Sequence, residues 1–505
     1  MRRALAGLAL LLAGATVTAA CSDDAGNGAG AKPERTVPVE RPAGPAATFA
    51  ALTGGKGIFL GASGPGPSLS KAGYTEAEYS ASGTATSYAS AGTLPTDGRF
   101  SLTPDGKAPY ATRVVVRRPA KQADFNGTAV VEWLNVSGGV DASPDYTYLA
   151  DELLRRGYAW VGVSAQRIGV EGGAVAVSAP GAEDLGAGKG LKGIDPARYG
   201  KLHHPGDAYS YDIYTQVARA LRSRGKAKGT VDPLDGLRLE RVLGVGESQS
   251  AFALTTYING VQPLAEQYDG FLVHSRGGAA APLGKPGAGI DIAGTIGGKP
   301  TTIRTDGRAP VIVVETETDL LGILGYLPAR QDDGDRFRLW EVAGTAHADK
   351  FQLGDTEGML GCAQPINRGQ QVFVLRSALR HLDRWAAGGD PPPKAPRLDV
   401  EGSAATAKYA LDDVGNVRGG IRSPVVDAPV DVLSGMAHPD SSIICLLMGS
   451  TTEIPPAKLA TLYDSRAAYE AKYEKATDAM IKAGFALRDD RSQILDQASP
   501  DRIEG

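Results

Sequence analysis

Cysteine is nearly missing from this chain, with three in 505 residues. So few cannot staple a small fold together or supply a thiolate-ligated metal cluster. The H-E-x-x-H, paired C-x-x-C and acidic calcium-loop patterns are missing too, so no metal is expected. No phosphate-cradling glycine loop follows a strand. The nearest text, "LGAGKG" at 185–190, lacks the Ser or Thr that should follow and the strand that should precede it, so no cofactor is expected. Charge argues against nucleic acid as a partner. The 53 basic and 57 acidic residues leave a net charge of −4, and no basic run carries interleaved aromatics. Beyond the N-terminal residues, no apolar run is long enough to cross a bilayer.

What is present begins with Arg2 and Arg3, then the apolar "ALAGLALLLAGATV" and the small-residue stretch "TAAC". That order of basic, apolar and small residues is a signal peptide, expected over 1–20. Cys21 directly after Ala19 and Ala20 resembles a lipobox, with Thr18 where that motif prefers leucine. The expectation is therefore an exported, cell-envelope lipoprotein, held to the membrane through lipid on Cys21; simple secretion is the alternative. Residues 21–47 are poor in large apolar side chains and read as a disordered tether. The remaining Cys362 and Cys445 are expected to pair as a disulfide, the common fate of two cysteines in an exported protein.

The 66 glycines and 32 prolines point to many turns and long loops. Strand-like text starts near residue 75 and includes "YATRVVVRRP". The apolar run "GTAVVEWLNV", the helical "YTYLADELLRRG" and a further strand, "YAWVGVSAQ", follow. Strand, helix, strand is the signature of a parallel βαβ unit. The alternation continues through "RVLGVGE", "YDGFLVHS", "APVIVVET" and "RFRLWEVAG", and the helix "GQQVFVLRSALRHLDRWAAGG" closes it. The fold class is α/β: a mostly parallel sheet flanked by helices, with long loops at 166–205, 277–308 and 320–335. Residues 48–395 form the expected core, and 396–505 a C-terminal extension packed on it.

Ligands of such sheets bind at the C-terminal ends of the strands. One of those ends reads Gly246-Glu247-Ser248-Gln249-Ser250, a variant of G-x-S-x-G. That motif places a nucleophilic serine on a strained strand-to-helix turn, with small residues two before and two after it. A plain helix cap is the alternative reading of Ser248. A serine hydroxyl needs a base and the base an orienting acid. His347 follows the strand "FRLWEV", and Asp319 follows "PVIVV", with Glu317 as the fallback acid. Serine, acid and histidine in that chain order are the α/β-hydrolase arrangement. The oxyanion donors are expected to be the amide of Gln249 and one from "LNVSGG", at Val136, Ser137 or Gly138. Asn135, His274 and Arg276 are expected near the substrate pocket.

"GESQSAFALTTYING", "DGFLVHSRGG", "ETETDLLG", "GTAHAD" and "NVRGGIRSP" together resemble the bacterial alpha/beta hydrolase domain family, whose elbow reads G-x-S-Q-S. The resemblance implies an α/β-hydrolase fold, Ser248, Asp319 and His347 at the triad positions, and Ser250 as the family's own variant. The expected activity is hydrolysis of a small-molecule carboxylic ester through an acyl-enzyme. Amide and lactone substrates use the same machinery, and a non-catalytic surface binder on this scaffold is the alternative from another class. The oligomeric state is not legible.

Overall fold

The computed structural model describes residues 40–61, 66–223, 229–403 and 406–504. The expected signal segment, Cys21 and the expected tether as far as residue 39 lie outside the described residues. Residues 41–47, expected in the tether, are instead docked. The Arg41 guanidinium shares Asp269 with Arg222, the Ala47 amide donates to the Gln216 carbonyl at 3.1 Å, and Ala47 is buried.

The large sheet has nine strands, in the order β1-β2-β3-β5-β4-β6-β7-β8-β9. They are β1 (Thr48–Ala51), β2 (Tyr74–Ser90), β3 (Leu102–Pro119), β4 (Thr128–Trp133), β5 (Ala159–Val163), β6 (Arg241–Glu247), β7 (Gly270–His274), β8 (Val311–Thr316) and β9 (Phe337–Val342). The strands β5, β4 and β6 to β9 run parallel, and β1 to β3 form an antiparallel wing joined to β5. Every residue of β4, β5, β7, β8 and β9 is buried, as the unbroken apolar text requires of strands covered on both faces.

Helices pack against this sheet: α1 (Pro144–Arg155), α2 (Ser210–Ser223), α3 (Gln249–Thr256), α4 (Glu317–Leu321) and α5 (Gln371–Ala386). The apolar strands end in polar residues at one edge: Glu247 of β6, His274 of β7, and Glu315 and Thr316 of β8. Glu247 and His274 are register partners, as are Glu315 and Glu341. Chemistry-bearing side chains therefore gather at one edge of an apolar sheet.

The C-terminal region contributes α6 (Ile443–Met448), α7 (Arg466–Ala483) and a two-stranded ribbon of Asp431–Ser434 with Ser450–Glu453. It meets α5 through Gln370, which donates to the Tyr473 hydroxyl at 2.9 Å, and Ser377, which donates to the Gly484 carbonyl at 2.8 Å. The extension also holds the helix Pro456–Leu462, ahead of α7, and Ser465 caps α7. A disulfide joins Cys362, just beyond the His347 loop, to Cys445 in α6. Among the described residues, no helix is long and apolar enough to cross a membrane.

Candidate active site

Strand β6 ends at Glu247, and α3 begins at Gln249, so Ser248 makes the whole turn between them. Its backbone sits at φ 59° and ψ −120°, a region costly for a residue with a Cβ. The turn is held by its neighbours: the Ser248 amide donates to the His274 carbonyl at 3.0 Å, and the Phe252 amide to the Ser248 carbonyl at 3.2 Å. Gly246 leaves no room for more. A Cβ there would stand 2.9 Å from Leu254 Cδ1 and 3.1 Å from Ser250 Cβ. Ser250 fills the second small position, fully buried. Ser248 itself is partly exposed.

The Ser248 Oγ lies 2.8 Å from His347 Nε2, and His347 Nδ1 lies 2.7 Å from Asp319 Oδ1. The second oxygen of Asp319 accepts both the amide and the hydroxyl of Thr316, each at 2.7 Å, in the capping box that opens α4. Burial pushes the Asp319 carboxyl upward, but His347 and the Thr316 donors outweigh it and hold it below its ordinary value. Burial pushes the imidazole of His347 downward, yet Glu247 and Asp319 overcome this and raise it to about 10.

The histidine loop is held from several sides. The His347 amide donates to the Thr318 hydroxyl at 3.2 Å, and the Ala348 amide to the Leu447 carbonyl of α6 at 3.1 Å. Gln371 donates to the Ala346 carbonyl at 2.9 Å. Glu317, the fallback acid, does not face the imidazole. Its carboxylate accepts the amides of Gly344 at 2.6 Å and Gly435 at 2.8 Å, and burial raises it to about 7.

The other expected site residues divide. The Gln249 amide is in the first turn of α3, where a helix leaves its N–H groups without internal partners. The Val136 amide donates to Gln249 Oε1 over a long 3.4 Å, and the Ser137 amide donates to Asn135 Oδ1 at 2.8 Å. Asn135 binds the elbow: its Nδ2 donates to the Glu247 carbonyl at 3.2 Å and to Glu247 Oε2 at 3.1 Å. His274 and Arg276, expected at the pocket wall, are instead fully buried. His274 pairs with Asp145 at 3.0 Å, and Arg276 donates to the carbonyls of Gly277, Gly278 and Thr301, bracing the turn after β7. A strand end places both residues near the site, but the direction of each side chain decides what it lines.

Sequence reasoning missed Glu247. Its Oε1 lies 3.1 Å from His347 Nε2, the same nitrogen that meets Ser248. The only signal was its place inside the elbow, where the motif leaves the residue free. The 166–205 loop also closes on the site, since the amides of Ala176 and Val177 donate to the Ser137 carbonyl at 2.9 and 3.0 Å.

The family described as alpha/beta hydrolase domain matches residues 39–496. No curated protein matches the sequence. Among solved structures, the chain is similar to an α/β serine hydrolase without a lid from Xanthomonas campestris. There the identity is 13%, with 61% of this chain and 97% of that one covered, at a TM-score of 0.30. It is similar to fungal esterases from Rhizomucor miehei at 11% identity, covering 61% of this chain and 85% of that one, at a TM-score of 0.31. It is also similar to a glucuronoyl esterase from Solibacter usitatus at 10% identity, covering 59% and 82% of the two chains, at a TM-score of 0.27.

Proposed function

This chain belongs to the alpha/beta hydrolase domain family, and from that premise we propose that it is an exported serine hydrolase acting on small-molecule carboxylic esters. One observation carries the reading. A partly exposed serine hydroxyl, held at positive φ on a strand-to-helix elbow, is hydrogen-bonded to an imidazole whose other nitrogen meets a buried carboxylate.

His347 Nε2 takes the proton of Ser248 as Oγ attacks the ester carbonyl. The developing oxyanion is held by the amide of Gln249, and by that of Val136 once the substrate oxygen displaces the Gln249 Oε1 that it meets at 3.4 Å, each worth about 3 kcal/mol in such a site. Asp319 fixes the Nδ1–H tautomer and stabilises the imidazolium. The imidazolium passes its proton to the departing alcohol, leaving an acyl-Ser248. Water, deprotonated by the same Nε2, then frees the acid and restores the serine. The 166–205 loop shapes one side of the substrate site. At the N-terminus, cleavage after Ala20 and lipid on Cys21 hold the enzyme at the cell envelope.

Hydrolysis of short-chain p-nitrophenyl esters tests the reading. Wild-type protein is expected to turn them over, with kcat falling by about 10⁴-fold or more in Ser248→Ala and in Asp319→Asn. A folded wild-type protein inert to short, long and aryl esters alike would overturn the ester assignment.

A further inference from the structure

Glu247 is costly to place where it stands. It is 4% exposed, and among the described residues no Arg or Lys pairs with it. A buried carboxylate without compensation is strongly unfavourable. Its two oxygens have one close partner each: Asn135 Nδ2 on Oε2 at 3.1 Å, and His347 Nε2 on Oε1 at 3.1 Å. Asn135 is itself fixed, because its Oδ1 accepts the Ser137 amide and its Nδ2 also reaches the Glu247 carbonyl. The side chain of Glu247 is thus aimed, and what it is aimed at is the nitrogen that exchanges a proton with Ser248.

We propose that Glu247 is a positioning residue for the hydrolytic reaction: with Asp319 on one nitrogen and Glu247 on the other, the imidazolium of His347 is stabilised between two carboxylates. The proposal rests on the triad reading above and deepens it. In the attack step the O–H bond of Ser248 breaks, the proton forms the Nε2–H bond, and the new N–H faces both Ser248 Oγ and Glu247 Oε1. The proton then leaves with the alcohol oxygen. Glu247 accepts no proton at any point; it favours the charged form of the base through one hydrogen bond and one charge.

The geometry has a pH consequence. Around the imidazole stand Asp319 from α4 and Glu247 from β6. Behind Glu247 lie the His274–Asp145 pair, from β7 and α1, and the Tyr148 hydroxyl, which donates to Asp349. Burial lowers the basicity of His347, but the two facing carboxylates more than reverse this. Base catalysis needs the neutral imidazole, so activity is expected to rise with pH through a midpoint above the ordinary histidine range.

The test is the pH dependence of covalent labelling by an uncharged fluorophosphonate. Wild type is expected to show an acid-limb midpoint above about pH 8, and Glu247→Gln to move that midpoint down by about one unit or more. The alkaline plateau of the variant is expected to fall about tenfold, because the base is weaker. Glu247→Gln curves that superimpose on wild type overturn the proposal. If the variant does not fold, wild type alone decides: a midpoint at or below the ordinary histidine value of about 6.5 overturns it. Labelling that survives in Ser248→Ala would instead sink the triad reading, so the two failures are distinguishable.

Discussion

Glu317 and Gly435 are joined across 118 positions of sequence by a 2.8 Å hydrogen bond from the Gly435 amide to the buried Glu317 carboxylate. The other carboxylate oxygen takes the amide of Gly344 at 2.6 Å, at the start of the His347 loop. Thr318 adds a second tie, donating its hydroxyl to the Gly435 carbonyl and accepting the His347 amide. The extension beyond residue 396 is therefore part of the scaffold that positions the imidazole, through one acid and its neighbour.

Replacing Glu317 by Gln turns an amide nitrogen toward one of two backbone donors and leaves that donor unsatisfied. The expected cost is about 1–3 kcal/mol, read by urea denaturation. The sign of its pH dependence is also set. Burial raises the folded carboxyl from the ordinary 4.5 to about 7. Its contribution to stability is then complete below about pH 4.5 and lost as pH rises through about 7. The gap between wild type and Glu317→Gln is accordingly expected to be larger at pH 5 than at pH 8.

A methyl at Gly435 has nowhere to go. Its Cβ would stand 2.5 Å from Glu317 Cβ and 2.6 Å from both the Thr318 amide and the Thr345 carbonyl, mostly backbone atoms that cannot rotate away. Gly435→Ala is expected to displace the His347 loop, slowing fluorophosphonate labelling at least tenfold even where the fold survives, since small misplacements at a site cost on the order of 10²-fold.

The two serines of the elbow should separate cleanly. The Ser250 hydroxyl is buried and has no hydrogen-bond partner among the described residues. Ser250→Ala is expected to keep ester turnover and to hold or raise the melting temperature, because it removes a polar group buried without a partner. Gly246→Ala, pressed against Leu254 and Ser250, is expected to cost about 1–3 kcal/mol through overpacking.

The disulfide closes a separation of 83 residues between the segment after His347 and α6. The chain-entropy value for a loop of that size is about 4–5 kcal/mol. The paired substitution Cys362→Ser with Cys445→Ser should lower stability by up to that amount. Around the bridge, Ala348, Leu360, Ile366 and Met448 form their own apolar cluster next to His347. Activity is therefore expected to become more heat-labile along with the fold.

The parallel half of the sheet is legible in the sequence because its strands are unbroken apolar runs that nothing but a doubly covered sheet accommodates. The closeness of Ser248, His347 and Asp319 is legible from chain order and from the small residues around the elbow. The antiparallel wing is less so. Strand β3 begins at Leu102 and runs through Pro104, Gly106 and Pro109, residues that argue locally against a strand. They are tolerated in an exposed hairpin whose register slips between Thr86 and Tyr88. Glu247 could not be read, because its meaning depends on His347, 100 positions away, arriving within 3.1 Å. His274 and Arg276 were placed at the right strand end but face inward, and sequence position alone does not fix that direction.

Covalent labelling of wild-type protein with a fluorophosphonate, followed by digestion and mass spectrometry, reaches the central claim most directly. The account expects one adduct, on the peptide carrying Ser248, its formation slowed by at least about 10³-fold in His347→Ala. An adduct on Ser250 instead, or a folded protein that takes up no label across the pH range, would contradict it.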